Sequence, residues 1–338
     1  MIPRIVPSWH ASDWQNILAN AVNTPEALFQ RLELPAYLLP AAHKAHALFP
    51  LRVPEPYLQR IHPRDANDPL LRQILPLGDE LIEAKDFSAD PVGDVAANRQ
   101  HGLLHKYKGR VLLLLTPACA VHCRYCFRRS FDYRDNNPLG SQWQNTLSYL
   151  RQDESIFEVI LSGGDPLSLT DGKLAPLLED LASIPHLRYL RVHTRLPVVI
   201  PCRITETLIR LLTGTRLKPV VVLHINHHRE IDTKLKEAAA ALTSAGIRLL
   251  NQSVLLKGVN DDAESLVQLS HALAAADIAP YYLHALDKVQ GATHFMVPDK
   301  AVQTIYQSMH AQLPGYLLPR LVREIPGEVG KSFIYSIS

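Results

Sequence analysis

The sequence predicts an α/β fold, an incomplete parallel (β/α)6 barrel behind a helical segment, and three observations lead there. From residue 110 onward, short apolar runs rich in β-branched residues alternate with helical patterns. Buried parallel strands read as continuous apolar runs, with helices as the crossovers between them. The pattern repeats six times, where a closed barrel of this kind needs eight units. Residues 1–100 have a different texture, rich in proline and short amphipathic helical patterns.

The elements follow in order. Within residues 1–100, "SDWQNILANAV" offers Ser12 and Asp13 as N-caps before apolar residues at helical spacing. "PLLRQILPLGDELIE" is a second helical stretch, broken by Pro76. Residues 101–312 form the barrel segment. Its strands are "RVLLLLT" (110–116), "FEVILSG" (157–163), "LRYLRVHT" (187–194), "PVVVLHIN" (219–226), "IRLLNQSVLL" (247–256) and "APYYLHAL" (279–286). The helical patterns between them run from "SQWQNTLSYLRQ" to "AESLVQLSHALAAAD", with "DKAVQTIYQSMHAQL" as the last helix. Residues 313–338 form a tail punctuated by proline and glycine.

Bulk properties exclude several classes. The 338 residues are 47% hydrophobic and 20% charged, enough to bury a large core. A net charge of +2 without long basic stripes gives no nucleic-acid signature. No run reaches the roughly 18 apolar residues of a membrane span, and no signal peptide is visible. Of four cysteines, three are clustered, so a disulfide framework is not expected and a reducing cytoplasm is.

The cluster is "PACAVHCRYCFRR" (117–129), with Cys119, Cys123 and Cys126 spaced C-x3-C-x2-C. It begins three residues past the first strand, the end of a parallel α/β fold where ligands gather. Three close thiolates suit an iron–sulfur cluster with one iron left open. A zinc knuckle completed by His122 or a distant ligand is the alternative. Cys202, alone in an apolar context, reads as core. Directly after the second strand, "LSGGDP" (161–166) places glycines where backbone can approach a ligand closely.

C-x3-C-x2-C with Tyr125 before the last cysteine, followed by "LSGGDP", resembles the radical S-adenosylmethionine (SAM) enzymes. That resemblance implies a partial barrel of radical SAM type, a [4Fe-4S] cluster on Cys119, Cys123 and Cys126, and SAM at Gly163, Gly164 and Asp165. It extends over most of the chain. "RVLLLLTPACAVHCRYCFRR", "HTRLPVVIPCRI", "INHHRE", "NQSVLLKGVND", "YYLHALDKVQGATHF" and "REIPGEVGK" together look like lysine 2,3-aminomutase, in that order and spacing. The family implication is an isomerase that moves the amino group of L-α-lysine to give (R)-β-lysine. Pyridoxal 5′-phosphate (PLP) carries the nitrogen, and SAM with the cluster supplies the radical.

Carried over residue by residue, Lys331 is the PLP lysine, and Arg110 with Lys106 binds the PLP phosphate. Gln252 joins the SAM site, and His224 lies near the cofactors. Arg128 takes the substrate carboxylate, for which a guanidinium fork is well suited. Asp287 and Glu324 take the ammonium at the other end of lysine. Glu324 replaces the family's Asp and Lys106 its usual Arg, while His284 stands where clostridial members carry Tyr and receives no role. Two acids at the far end disfavour glutamate as substrate.

Clostridial members continue beyond the PLP lysine with cysteines for an interchain zinc. Here no cysteine follows Cys202, so no interchain zinc is expected. The short form resembles bacterial aminomutases that supply β-lysine to elongation factor P through a lysine ligase. Lysine already attached to that factor is the other substrate form left open. Two alternatives remain at this stage, an aminomutase acting on another amino acid and a non-catalytic zinc-binding scaffold.

Overall fold

The computed structural model describes residues 13–334. Ser12, one of the two candidate caps, lies outside them; the helix it would cap runs Asp13–Ala19 and buries Trp14. The second helical stretch is shorter than expected and ends at Arg72, four residues before Pro76. Asp68 caps a short helix, Pro69–Arg72, by accepting from the N–H groups of Leu70 and Leu71, and a 3-10 turn follows at Gly78–Leu81.

One ten-stranded sheet organises the rest, with its strands in chain order. All six apolar runs are strands: β3 (Arg110–Leu114), β4 (Glu158–Ser162), β5 (Tyr189–Thr194), β6 (Lys218–His224), β7 (Arg248–Leu255) and β8 (Ala279–Ala285), paired parallel throughout. Four further strands extend the sheet beyond the six expected. β1 (Asn98–Gln100) and β2 (Leu103–Tyr107) lead antiparallel into β3. β9 (Arg320–Arg323) continues the parallel order beside β8, and β10 (Ser332–Phe333) folds back antiparallel on it.

These four are short and polar, so they carry no apolar run to announce them. Gly102 and Gly109, both at positive φ, mark the turns on either side of β2. The sheet curls without closing, because β1 and β10 each have one neighbour among the described strands.

The first hydrophobic core extends from Trp14 to Ile278 and takes in the helices of residues 13–72 together with β3–β7. The N-terminal segment is therefore packed into the same interior as the barrel. A second core lies under the helix Asp299–Gln312, and a third gathers Tyr125, Leu256, Leu286 and Phe295 behind the cysteine loop. No helix among the described residues is long and apolar enough to cross a membrane.

Candidate active site

A cavity of about 360 Å³ opens inside the curl of the sheet. Strand side chains point alternately in and out, so every second residue faces it: Arg110 and Leu112, Ile160 and Ser162, Arg191 and His193, Gln252 and Val254, Tyr282 and His284. Every residue that the family resemblance assigns to a cofactor or the substrate lines this one space. Cys119, Cys123, Cys126, Arg128, Gly163, Gly164, Asp165 and Gln252 do so together with Lys106, Arg110, Asp287, Glu324 and Lys331. Chain positions more than two hundred apart thus meet at one wall.

The cysteine loop is pinned by residues from the N-terminal segment. His122 N–H donates to the Arg52 carbonyl at 3.0 Å and Arg124 N–H to the Gln73 carbonyl at 2.9 Å. Arg124 is fully buried and grips Glu80 with two bonds, 2.6 and 2.8 Å, while Arg129 reaches the same carboxylate at 2.9 Å. Removing one partner of such a buried pair costs about 3–5 kcal/mol, so this clamp fixes the loop's path.

The glycines of "LSGGDP" serve that loop in a way the sequence did not reveal. A Cβ on Gly163 would stand 2.7 Å from the Thr116 carbonyl oxygen, and one on Gly164 2.5 Å from that of Ala118. Their N–H neighbours bond across the same gap, Gly164 to Thr116 at 2.6 Å and Asp165 to Ala118 at 2.8 Å. The backbone approached so closely is therefore that of the cysteine loop. Asp165 is likewise occupied within the fold. Its carboxylate accepts from Thr194 Oγ1 and Arg195 N at 2.7 Å, Leu196 N at 2.8 Å and Leu167 N at 3.1 Å, tying β4 to β5.

The donor set fits a cluster better than a single zinc. Thiolates around one tetrahedral zinc, each about 2.3 Å from the metal, lie roughly 3.8 Å apart. Cys119, Cys123 and Cys126 are free thiols that all line the cavity, three donors that suit a four-iron cluster with one iron left open. Burial pushes the Cys119 thiol well up and the Cys126 thiol to about 11. An iron–sulfur core that takes the thiolates displaces those protons.

Along another part of the lining five charged side chains alternate in sign, starting from Arg128 beside the cysteine loop. Arg128 Nε donates to Asp94 Oδ2 at 2.6 Å, and Asp94 Oδ1 lies 2.6 Å from Lys106 Nζ. Lys106 Nζ also donates to Glu324 Oε1 at 2.8 Å, and Lys331 Nζ to Glu324 Oε2 at 2.6 Å. Burial alone would raise the Glu324 pKa, but Lys331 and Lys106 outweigh it and hold the carboxyl well below its usual range. Asp94 is lowered in the same manner, with Arg128 and Lys106 outweighing burial.

Lys106 is engaged within this chain of charges. An ammonium has three N–H donors. Lys106 gives two of its own, to Glu324 Oε1 and to the Val92 carbonyl at 2.7 Å, and its Nζ also lies beside Asp94 Oδ1. Arg110 stacks over the Tyr107 ring at 4.8 Å and bonds to no acid among the described residues. Both oxygens of Glu324 hold lysines, Oε1 Lys106 and Oε2 Lys331.

Asp287 is the contrasting acid. It is half-buried beside these charges, with no side-chain hydrogen bond among the described residues. Burial pushes its pKa to about 7, with nearby Lys331 opposing the rise. Arg128 keeps an open edge: only its Nε meets a carboxylate, and its terminal nitrogen reaches Ser162 Oγ at a long 3.4 Å.

Residues 107–185, which contain all three clustered cysteines, match the family model of a 4Fe-4S single cluster domain. The L-lysine 2,3-aminomutase of Haemophilus influenzae is 47% identical over 320 residues, covering 95% of this chain and 95% of that protein. The Escherichia coli K12 L-lysine 2,3-aminomutase is 46% identical over 325 residues, covering 95% and 94%. The chain belongs to the lysine 2,3-aminomutase family. A radical SAM methyltransferase from Sphaerobacter thermophilus superposes with a TM-score of 0.45 at 18% identity, over 65% of this chain and 68% of that one.

As an aminomutase-family chain, it has site residues that sequence reasoning passed over. Asp94, Glu80 and Gln73 sit in the segment to which no chemistry was assigned. Arg195 and Glu230 fall inside the quoted stretches "HTRLPVV" and "INHHRE" but were given no part. The aminomutase histidines are electrostatically quiet. Burial holds His224 down to about 3, with Arg195 adding to the effect, and holds His284 well below its ordinary value. His224 Nε2 lies 2.9 Å from the Tyr125 hydroxyl and its ring stacks on Tyr125.

Proposed function

We propose that this chain is a radical SAM, PLP-dependent L-lysine 2,3-aminomutase, an isomerase that converts L-α-lysine to (R)-β-lysine by 1,2-amino migration. The observation that carries this reading is one cavity holding three kinds of group at once. It contains the cysteine trio, the Lys331 amine, and a pair of opposite charges, Arg128 and Asp287, suited to the two ends of lysine. When bound, the cluster and SAM supply a 5′-deoxyadenosyl radical and PLP carries the migrating nitrogen.

The protein's own work is placement. Lys331 offers the amine that holds PLP, and Arg110 offers an unpaired cation for its phosphate. Gly163, Gly164, Gln252 and His224 form the wall between the cysteines and the strands, where SAM is accommodated. Asp165 contributes by fixing the glycine turn. Arg128 presents its terminal nitrogens to the substrate carboxylate while Asp94 orients it through Nε. Asp287 gives up its proton when the substrate ammonium arrives and supplies the charge that burial had suppressed. Neutral His224 and His284 leave that cation unopposed. With both ends held, one carbon faces the radical. A glutamate side chain would meet Asp287 and Glu324 as like charges.

The test is anaerobic reconstitution with iron, sulfide and PLP, followed by SAM, dithionite and L-lysine. Formation of (R)-β-lysine with 5′-deoxyadenosine is the expected result; 5′-deoxyadenosine without β-lysine would remove lysine as substrate. The product's destination in this reading is elongation factor P, through a lysine ligase, and the sequence resemblance supports it. Loss of the β-lysyl mass from the factor in cells lacking this chain is the corresponding check.

A further inference from the structure

Arg195 stands just past the end of β5, and its guanidinium turns toward the cysteines. One terminal nitrogen donates to Cys123 Sγ at 2.7 Å and to the Tyr125 hydroxyl at 2.6 Å. The other donates to Gln73 Oε1 at 2.6 Å and Glu230 Oε2 at 2.9 Å. The surroundings hold it in place. Its own N–H is tied to Asp165, Gln73 Nε2 donates to the second Glu230 oxygen at 3.1 Å, and Asn226 Nδ2 donates to the Tyr125 hydroxyl at 2.7 Å. Gln73, Tyr125, Arg195, Asn226 and Glu230 are all buried.

The three cysteines are therefore unequal. Cys123 receives an N–H from a cation, while Cys126 receives one from the neutral backbone of Arg128. Among the described residues no charged donor bonds to Cys119 Sγ. Hydrogen bonds and charge beside a cluster's sulfurs are what a protein uses to set its reduction potential. In a buried site such a charge acts strongly, because little water screens it.

We propose that Arg195 is a positioning residue that raises the reduction potential of the four-iron cluster through Cys123, and that Glu230 partly cancels its effect. This rests on the reading that Cys119, Cys123 and Cys126 hold a [4Fe-4S] cluster. The step affected is uptake of one electron from a low-potential one-electron donor, [4Fe-4S]2+ to [4Fe-4S]+, with no bond made or broken and no proton moved. The reduced cluster carries one more negative charge, which the guanidinium stabilises. The Glu230 carboxylate, on the far side of Arg195, opposes it.

The test is a redox titration of the reconstituted holoenzyme followed by electron paramagnetic resonance, with iron counted in each sample. Arg195→Gln is expected to weaken electron uptake about tenfold, a fall of about 59 mV for one electron. Arg195→Lys is expected to fall by less, because it keeps the charge, and Glu230→Gln to shift upward. A merely structural role for the pair predicts no such opposition of sign. Potentials that stay put, or move the same way in Arg195→Gln and Glu230→Gln, would overturn the assignment. Should Arg195→Gln fail to retain four irons, Glu230→Gln decides alone, an upward shift supporting the proposal and any other result overturning it. A wild-type protein without a reducible four-iron cluster would take down the functional reading and this proposal together. A wild-type cluster with unmoved variants would remove only the role of Arg195.

Discussion

The two walls of the cavity are built on different principles. Around the cysteines, polar groups are locked in a buried network: Arg124 with Glu80, Arg195 with Glu230 and Gln73, Asp165 with four donors. Around Lys331 the order comes from alternating full charges, and one acid, Asp287, lacks a bonded partner among the described residues. A network of satisfied bonds holds a geometry fixed. A chain of charges with one acid left over is suited to accept a cation. The first wall is the kind a redox group needs, and the second the kind a charged substrate and a covalent cofactor need.

The largest expected effects separate the walls outright. Cys126→Ala removes a ligand from the first, so SAM cleavage to 5′-deoxyadenosine should fall below detection while PLP still binds. Lys331→Ala acts on the second: the absorbance of the PLP–lysine bond should vanish with iron content unchanged. An unaltered PLP spectrum in that variant would dissolve the distinction between the walls at its strongest point.

A smaller effect tests the unpaired acid. With a folded pKa raised from 3.8 to about 7, Asp287 favours the fold fully below 3.8, and that contribution is lost as pH rises through about 7. A substrate ammonium recovers it by pairing with the ionised form. About a tenth of Asp287 is ionised at pH 6 and most of it at pH 8, so the KM for lysine should fall about tenfold across that range. Asp287→Asn should raise KM and flatten this dependence without a matching change in SAM binding. A wild-type KM unaffected by pH would mean that this acid does not meet the substrate.

The smallest effect concerns the first wall's packing. Gly164→Ala forces a methyl against the Ala118 carbonyl, at a cost of about 1–3 kcal/mol. Thermal melts should drop by a few degrees, and cluster retention should weaken with them. A variant as stable as the wild type would show that the turn can move away from the cysteine loop.

How legible each wall was in the sequence follows from the same contrast. The cysteine wall was announced locally, because three thiolates and a glycine turn at fixed offsets carry their chemistry in their spacing. Its supports were not, since Glu80, Gln73 and Glu230 are ordinary polar residues until folding buries them beside Arg124 and Arg195. The six parallel strands were legible as apolar runs. β1, β2, β9 and β10 were not, being short and polar, and Lys331 is held between the last two. For the lysine wall the residues emerged only through the ordered family resemblance. That resemblance named side chains that fold into one cavity, but not what they would touch: Lys106 bonds to Glu324 and a carbonyl and lies beside Asp94. Spacing cannot show these contacts, because Val92 and Asp94 lie in one stretch of chain and Glu324 in another far along it.

The central claim is that both walls act on one lysine molecule. It is tested most directly by supplying the reconstituted enzyme with SAM, dithionite and L-lysine deuterated at Cβ, then analysing the products by mass spectrometry. The expected products are (R)-β-lysine and 5′-deoxyadenosine carrying deuterium, because the radical formed at the cysteine wall must take its hydrogen from the substrate held at the other. Unlabelled 5′-deoxyadenosine, or labelled 5′-deoxyadenosine with no β-lysine, would contradict it.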